Sequence, residues 1–216
     1  MKAKGMQLIA YMVFWLLSCN LSNAQNFPSE LWHSGVFITT DGDTIKGRIK
    51  YDMQTEAVLV ETKSGIQTFS ARKMHYFEIF DETIDSYRHF YALPYRVQAN
   101  YEAPMIFEVL YEGHLSLLCR EEIVTESVPQ YNAYPYGYYN NQFNQSRTRL
   151  NYEYYFLSQD GEGKIMNYNM KKNELFTFFG KREKDIKQYF RKNKLKHDRM
   201  RDLVRVTAYY NALLDS

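Results

Sequence analysis

The chain has 216 residues, 45% of them hydrophobic and 17% aromatic, with 27 Lys/Arg against 25 Asp/Glu. That apolar content excludes a disordered chain, and the formal net charge of +2 excludes a polyelectrolyte that binds nucleic acid by bulk charge. With Cys19 and Cys119 as its two cysteines, the chain is no disulfide-rich scaffold, so packing must carry stability.

In chain order, Lys2 and Lys4 precede an apolar run from Leu8 to Leu17. Its length falls within the roughly 7–15 residues of a secretory h-region and short of the roughly 20 needed to span a membrane as a helix. Ser22-Asn23-Ala24 places small residues at the −3 and −1 positions, predicting a signal peptide over residues 1–24 and cleavage between Ala24 and Gln25. Leu16-Leu17-Ser18-Cys19 offers a second route, in which a lipidated Cys19 becomes the N-terminus. The first route predicts a periplasmic or cell-surface protein, the second an outer-membrane lipoprotein. Cleavage at Ala24 leaves Cys119, which follows Leu117 and Leu118 and is expected to be a buried, inert thiol.

Residues 25–169 are expected to form an antiparallel, hairpin-built domain. Val36–Thr40 and Thr44–Tyr51 flank Asp41-Gly42, a hairpin signal. In the second strand Ile45, Gly47, Ile49 and Tyr51 alternate with Lys46, Arg48 and Lys50, the mark of a sheet with one buried and one wetted face. Ala57–Thr62 and Ile66–Phe69 pair about Ser64-Gly65, and Met74–Phe80 makes a fifth strand with His75, Phe77 and Ile79 sharing a face. Tyr87–Leu93 is extended, and Pro94 and Pro104 bracket a stretch expected to be irregular. Met105–Tyr111 and Leu115–Val124 flank Glu112-Gly113-His114; Tyr152–Leu157 and Lys164–Tyr168 flank a Gly-rich turn. Many short strands with regular turn signals predict a barrel or sandwich.

Gln130 to Arg149 is rich in Tyr, Asn and Gln and almost free of aliphatic residues, so a long loop is expected over 130–149. Its Tyr131, Tyr134, Tyr136, Tyr138, Tyr139 and Asn140 combine rigid amphipathic rings with adaptable hydrogen bonding, the chemistry of loops that bind proteins or stack on sugars.

From Met170 the period becomes helical. Leu175, Phe178 and Phe179 predict a short helix ending at Gly180; Ile186, Tyr189 and Phe190 fall on one face of a second; and Asp198 is the expected N-cap of a third carrying Met200, Leu203, Val204, Thr207 and Leu214. Residues 171–205 hold thirteen Lys/Arg against five Asp/Glu, whereas residues 25–170 hold twelve against nineteen. These opposite charges predict that the basic helical segment, residues 170–216, packs on the β-domain. The fold class is thus α+β: an antiparallel β-barrel or sandwich followed by C-terminal helices.

Chemistry-bearing motifs are sparse. His33, His75, His89, His114 and His197 lack metal-site spacing, although His75 and His89 could meet across strands. Asp41 and Asp43 at a hairpin tip fall short of a calcium loop. The pattern calls for no metal or cofactor and supplies no catalytic residue; a hydrolase built from dispersed carboxylates remains open because such pairs are set by tertiary geometry. Nucleic acid is a poor partner for an exported chain whose C-terminal aromatics lie on apolar helix stripes.

The stretch Gly35-Val36-Phe37-Ile38-Thr39-Thr40-Asp41-Gly42-Asp43-Thr44-Ile45-Lys46-Gly47-Arg48-Ile49, with basic Lys192–Leu195 and Tyr209-Tyr210-Asn211 near the C-terminus, resembles a group of uncharacterised exported Bacteroidota proteins. Asp43-Thr44-Ile45 is also similar to the O-glycosylation site of Bacteroidota envelope proteins. The resemblance implies an envelope address and no particular activity. Three functions follow as expectations: a non-catalytic binding or scaffolding protein of the envelope, a module that binds glycan or anionic lipid, or a hydrolase. Partners would be an envelope protein or a glycan, with membrane association through lipidated Cys19 or the basic helices.

Overall fold

The computed structural model describes residues 27–98, 101–128, 145–159 and 163–215. They form one antiparallel sheet of ten strands: β1 (His33–Thr39), β2 (Thr44–Asp52), β3 (Ala57–Thr62), β4 (Gly65–Ser70), β5 (Met74–Asp81), β6 (Ser86–Gln98), β7 (Tyr101–Tyr111), β8 (Leu115–Val128), β9 (Gln145–Ser158) and β10 (Ile165–Tyr168). The order is β10-β9-β8-β7-β6-β5-β1-β2-β3-β4, so β1 lies between β2 and β5. Three helices follow: α1 (Lys172–Thr177), α2 (Glu183–Lys192) and α3 (Met200–Leu214). This is the expected α+β class, with the sheet open rather than closed into a full barrel.

Curvature is read from one contact. Tyr51 on β2 donates a hydrogen bond to Glu121 on β8 at 2.9 Å, although the two strands stand five places apart in the sheet. At roughly 4.8 Å per strand, a flat sheet would hold them about 24 Å apart. The first strands therefore curl over the middle of the sheet. Between them lies a core of Phe37, Ile49, Tyr51, Val58, Val60, Phe77, Ile79, Phe90 and Ile106. Each such side chain contributes about 1.5–3 kcal/mol by leaving water. Two glycines bring paired neighbours of these first strands close together: a Cβ on Gly35 of β1 would sit 2.2 Å from the Glu78 carbonyl oxygen of β5, and one on Gly47 of β2 would sit 2.1 Å from that of Glu61 of β3.

Three expectations about the strands are corrected. His75 does not share the buried face with Phe77 and Ile79, because the β1–β5 register slips between Ile38 and Thr39 and turns Met74 inward instead. The stretch bracketed by Pro94 and Pro104 is regular, with the two prolines opposite each other in the β6–β7 pair. Residues opposed without mutual hydrogen bonds point their N–H groups outward. The β5–β6 pairing stops at Tyr91 and the β7–β8 pairing at Glu108, so neither missing N–H costs a ladder bond. Finally, β8 and β9 form one long hairpin from Leu115–Ser158 to Val128–Gln145, so Gln145–Arg149 belong to a strand and not to the loop.

The helices dock through apolar contact. Leu175, Phe176, Phe179, Ile186, Phe190, Leu203 and Val206 cover Leu117, Cys119, Tyr154, Phe156 and Tyr168 on one face of β8–β10. Tyr189 and Tyr209 stack at 3.9 Å between α2 and α3. Lys184, Lys187 and Arg191, at i, i+3 and i+7, stay exposed. Arg199, not Asp198, is the N-cap of α3, and it makes no capping side-chain bond. Asp202 receives the Lys196 N–H at 3.0 Å instead. A chain ending after residue 169 is expected to aggregate, because it bares the aromatic face of β8–β10. Size-exclusion chromatography checks this, and a monodisperse truncated chain would contradict the docking account.

Candidate functional site

Where the two cores meet, the inward register positions of apolar strands carry charge. Arg88 follows from its pairing opposite Ile79, and Glu108 from its pairing opposite Phe90. Arg88 Nε and Nη2 donate to the two Glu108 oxygens at 2.8 and 2.7 Å. The guanidinium also contacts Glu121, Asp81 at 3.2 Å and the Tyr51 hydroxyl at 2.9 Å, and lies over the Phe90 ring at 5.2 Å. Cys119 donates its S–H to Glu108 at 3.3 Å. All seven residues are buried.

Burial opposes the Arg88 charge, yet Glu108 above all, then Tyr51 and Glu121, hold it protonated more firmly than in water. Burial raises the Glu121 carboxyl above the ordinary glutamate range, and Arg88 only partly offsets this. At Asp81 burial also pushes upward, but bonds from Thr83 and Arg88 reverse it and leave the carboxyl lowered. Burial, with Glu108 beside it, pushes the Cys119 thiol up, so it is not a thiolate nucleophile.

A cleft of about 450 Å³ opens beside this network, lined by Glu30, Trp32, Tyr51, Asp52, Met53 and Glu121 among others. Its carboxylates already anchor protein groups. Glu30 accepts the Phe27 N–H at 3.1 Å, and Asp52 accepts those of Gln54 and Thr55 at 2.8 and 3.2 Å. Glu121 is held by Arg88 and Tyr51. Beneath the cleft, β7 and β8 part beyond Glu108–Cys119. The turn between β2 and β3 fills the split: Glu56 accepts the Ile106 N–H at 2.7 Å, and Arg120 donates to the Ile106 carbonyl at 2.6 Å. Glu56 holds a left-handed φ of 54°, a conformation disfavoured for glutamate, while its carboxylate is held by the Ile106 N–H and by Arg120 at 2.6 Å. The cleft and its network are thus a fold-closing device.

A different surface lies on the opposite face of the sheet. There Tyr76 on β5 and His89 and Tyr91 on β6 line a groove of about 460 Å³ with Val109, Leu110, Tyr111 and Glu112 from the bulged end of β7, where Leu110 and Tyr111 also pack on the helical core. The rings are half-buried, while Glu112 is exposed. Tyr76 and Tyr91 pack at 4.8 Å and 50°, and Tyr76 stacks on His89 at 6.1 Å. The Tyr76 hydroxyl donates to Glu78 at 3.0 Å and meets His89 Nδ1 at 2.8 Å. His89 Nδ1 also lies 3.2 Å from the Glu78 carboxylate, so Tyr76, Glu78 and His89 form one cluster. Burial raises the Tyr76 hydroxyl, with Glu78 adding to it; burial also raises Tyr91, with Glu112 and then Glu78 adding to it.

His89 therefore pairs with Tyr76 and Glu78, not with His75, because Glu78 is its cross-strand neighbour. His33 bonds the Pro28 carbonyl at 2.8 Å, His114 meets Asp215 at 3.2 Å, and His197 lies by Tyr168. Among the described residues, no three His, Cys, Asp or Glu are grouped to hold a metal ion. Tyr131, Tyr134, Tyr136, Tyr138, Tyr139 and Asn140 lie outside the described residues, as do Cys19, Ala24 and Gln25. Sequence reasoning passed over the groove, although its signal was present: Tyr76, Glu78, His89 and Tyr91 occupy the positions of β5 and β6 that should face water. Compared with protein-family models, curated proteins and solved structures, the chain matches none.

Proposed function

We propose that this protein is a non-catalytic binding or scaffolding module of the cell envelope, exported by residues 1–24. The observation that carries the binding reading is the aromatic groove. Helices occupy one face of the sheet, whereas the opposite face presents Tyr76 and Tyr91 half-buried around a concavity that Tyr111, packed also on the helical core, lines from the bulged end of β7. Half-exposed aromatic rings with polar tips are suited to recognition rather than to core packing. The carboxylates of the cleft are engaged with protein groups, which weighs against a hydrolytic pair there.

The test is cross-linking and co-purification of the tagged protein from its native envelope, beside a Tyr91→Ser/Tyr111→Ser variant and a chain lacking residues 131–144. A stoichiometric partner lost with the groove variant is the expected result. A partner retained by that variant but lost with the loop deletion would move the binding surface to the loop. Intact mass checks the export reading: a mature chain beginning at Gln25 is expected, whereas a lipid-bearing mass beginning at Cys19 would make it a lipoprotein.

A second reading is favoured by the exposed stripe of Lys184, Lys187 and Arg191 on α2, whose chemistry suits an anionic lipid surface. Binding to vesicles containing anionic lipid that weakens with salt and with charge reversal at these positions would support it.

A further inference from the structure

Resting on the reading of the groove as the binding surface, its chemistry narrows the ligand. Glu112 lies on the rim beside Tyr91, and Glu78 lies 3.0 Å from the Tyr76 hydroxyl. Among the described residues, the lining includes no Lys or Arg. The guanidinium of Arg88 belongs to the other face of the sheet, where Glu108, Glu121 and Asp81 neutralise it. A ligand that enters the groove therefore meets two carboxylates and, among the described lining residues, no Lys or Arg beside them. Ring faces add to the field of these carboxylates, because the π cloud of each tyrosine is its negative side. His89 turns its Nδ1 to Tyr76 and Glu78.

We propose that the groove binds an organic ammonium group, carried either on a small amine or on a lysine side chain of a protein partner. A cation gains both from the tyrosine faces and from the two carboxylates. A neutral sugar would gain stacking but little from the field, and an anionic ligand would be repelled. The Val109 and Leu110 side of the groove takes the apolar stem that such a group carries.

The test titrates the folded mature chain, followed by tyrosine NMR signals, with choline and with its neutral isostere 3,3-dimethylbutan-1-ol. N-acetyl-lysine methylamide and the norleucine equivalent form a second pair, which separates a free amine from a lysine side chain as the source. Each cation is expected to bind about three- to thirty-fold more tightly than its isostere. Glu112→Gln should erase most of that preference, Tyr91→Phe should keep it, and Tyr91→Ala should abolish binding. Unchanged thermal melting of these surface variants separates lost recognition from lost fold. Equal binding of charged and neutral members, or tighter binding of a neutral oligosaccharide such as cellobiose, overturns the ammonium proposal. If cations fail while envelope partner capture still depends on Tyr91 and Tyr111, the ligand class is wrong and the binding reading stands. If neither depends on the groove, both fail.

Discussion

Replacing Arg88 by Met is expected to destabilise the fold by about 3–5 kcal/mol, the usual cost of removing one partner from a buried ionic cluster. The guanidinium joins Glu108, Glu121, Asp81 and Tyr51 across four strands, so its loss strands three carboxylates away from water. Methionine fills much of the volume, so the cost measures charge and not a cavity. Arg88→Lys should recover only part of it, since an ammonium cannot bind Glu108 through two parallel bonds. Urea denaturation at neutral pH measures the effect, and a loss below about 1 kcal/mol would refute the central role of Arg88.

The same variant carries a pH signature. Burial raises the Glu121 carboxyl on folding. A carboxyl so raised favours the folded chain at low pH and loses that contribution as pH climbs through its folded value. Asp81 is lowered despite burial, by Thr83 and Arg88, so its contribution is present above the ordinary aspartate range and fades as pH falls. Without Arg88, both carboxyls lose a cation and take up protons more readily. The deficit of Arg88→Met should therefore be largest at neutral pH and shrink as pH falls toward the carboxyl range. A deficit independent of pH would assign it to packing.

Asn211→Ala is expected to cost about 2–4 kcal/mol and to loosen α3 from the sheet. Its side chain accepts the Leu115 N–H at 3.0 Å and donates to the Leu115 and Thr207 carbonyls, both at 2.9 Å. Leu115 is buried at the start of β8, so both its backbone groups would lose their partner, at about 1–3 kcal/mol each before water recovers a share. Gly113 leaves room for this clamp, since a Cβ there would lie 2.5 Å from the Asn211 oxygen. Asn211→Asp keeps the acceptor for Leu115 N–H but loses both donors, and should be as damaging. Hydrogen exchange reports the outcome: amides of α3 should exchange by local opening in the variant. Unchanged protection would mean that the apolar face of α3 suffices alone.

Much of this architecture was legible in residue order because the signals are local. The turn glycines and the two-residue alternation of Ile45 to Tyr51 depend on a few neighbours, and so does the helical spacing of Ile186, Tyr189 and Phe190. The errors also have local causes. A one-residue bulge turned Met74 inward in place of His75, and the prolines of β6 and β7 sit where no neighbouring strand asks for their N–H groups. Neither the bulge nor the ends of the neighbouring ladders leave a mark in the residue pattern.

What the sequence by itself determined is the class of structure: hairpins with one apolar face, then helices with an apolar stripe, each a consequence of short-range periodicity. Tertiary structure alone decided where charge could be buried and where aromatic rings could stay open. Arg88, Glu108 and Glu121 lie up to 33 residues apart in sequence and meet because three adjacent strands align them. Tyr76 and Tyr91 border a groove because the helices and the curl of β1–β4 take the other face of the sheet, and Tyr111 joins them because the bulge in β7 turns the end of that strand. Register and curvature are collective properties of all the strands, and no stretch of residues encodes them alone.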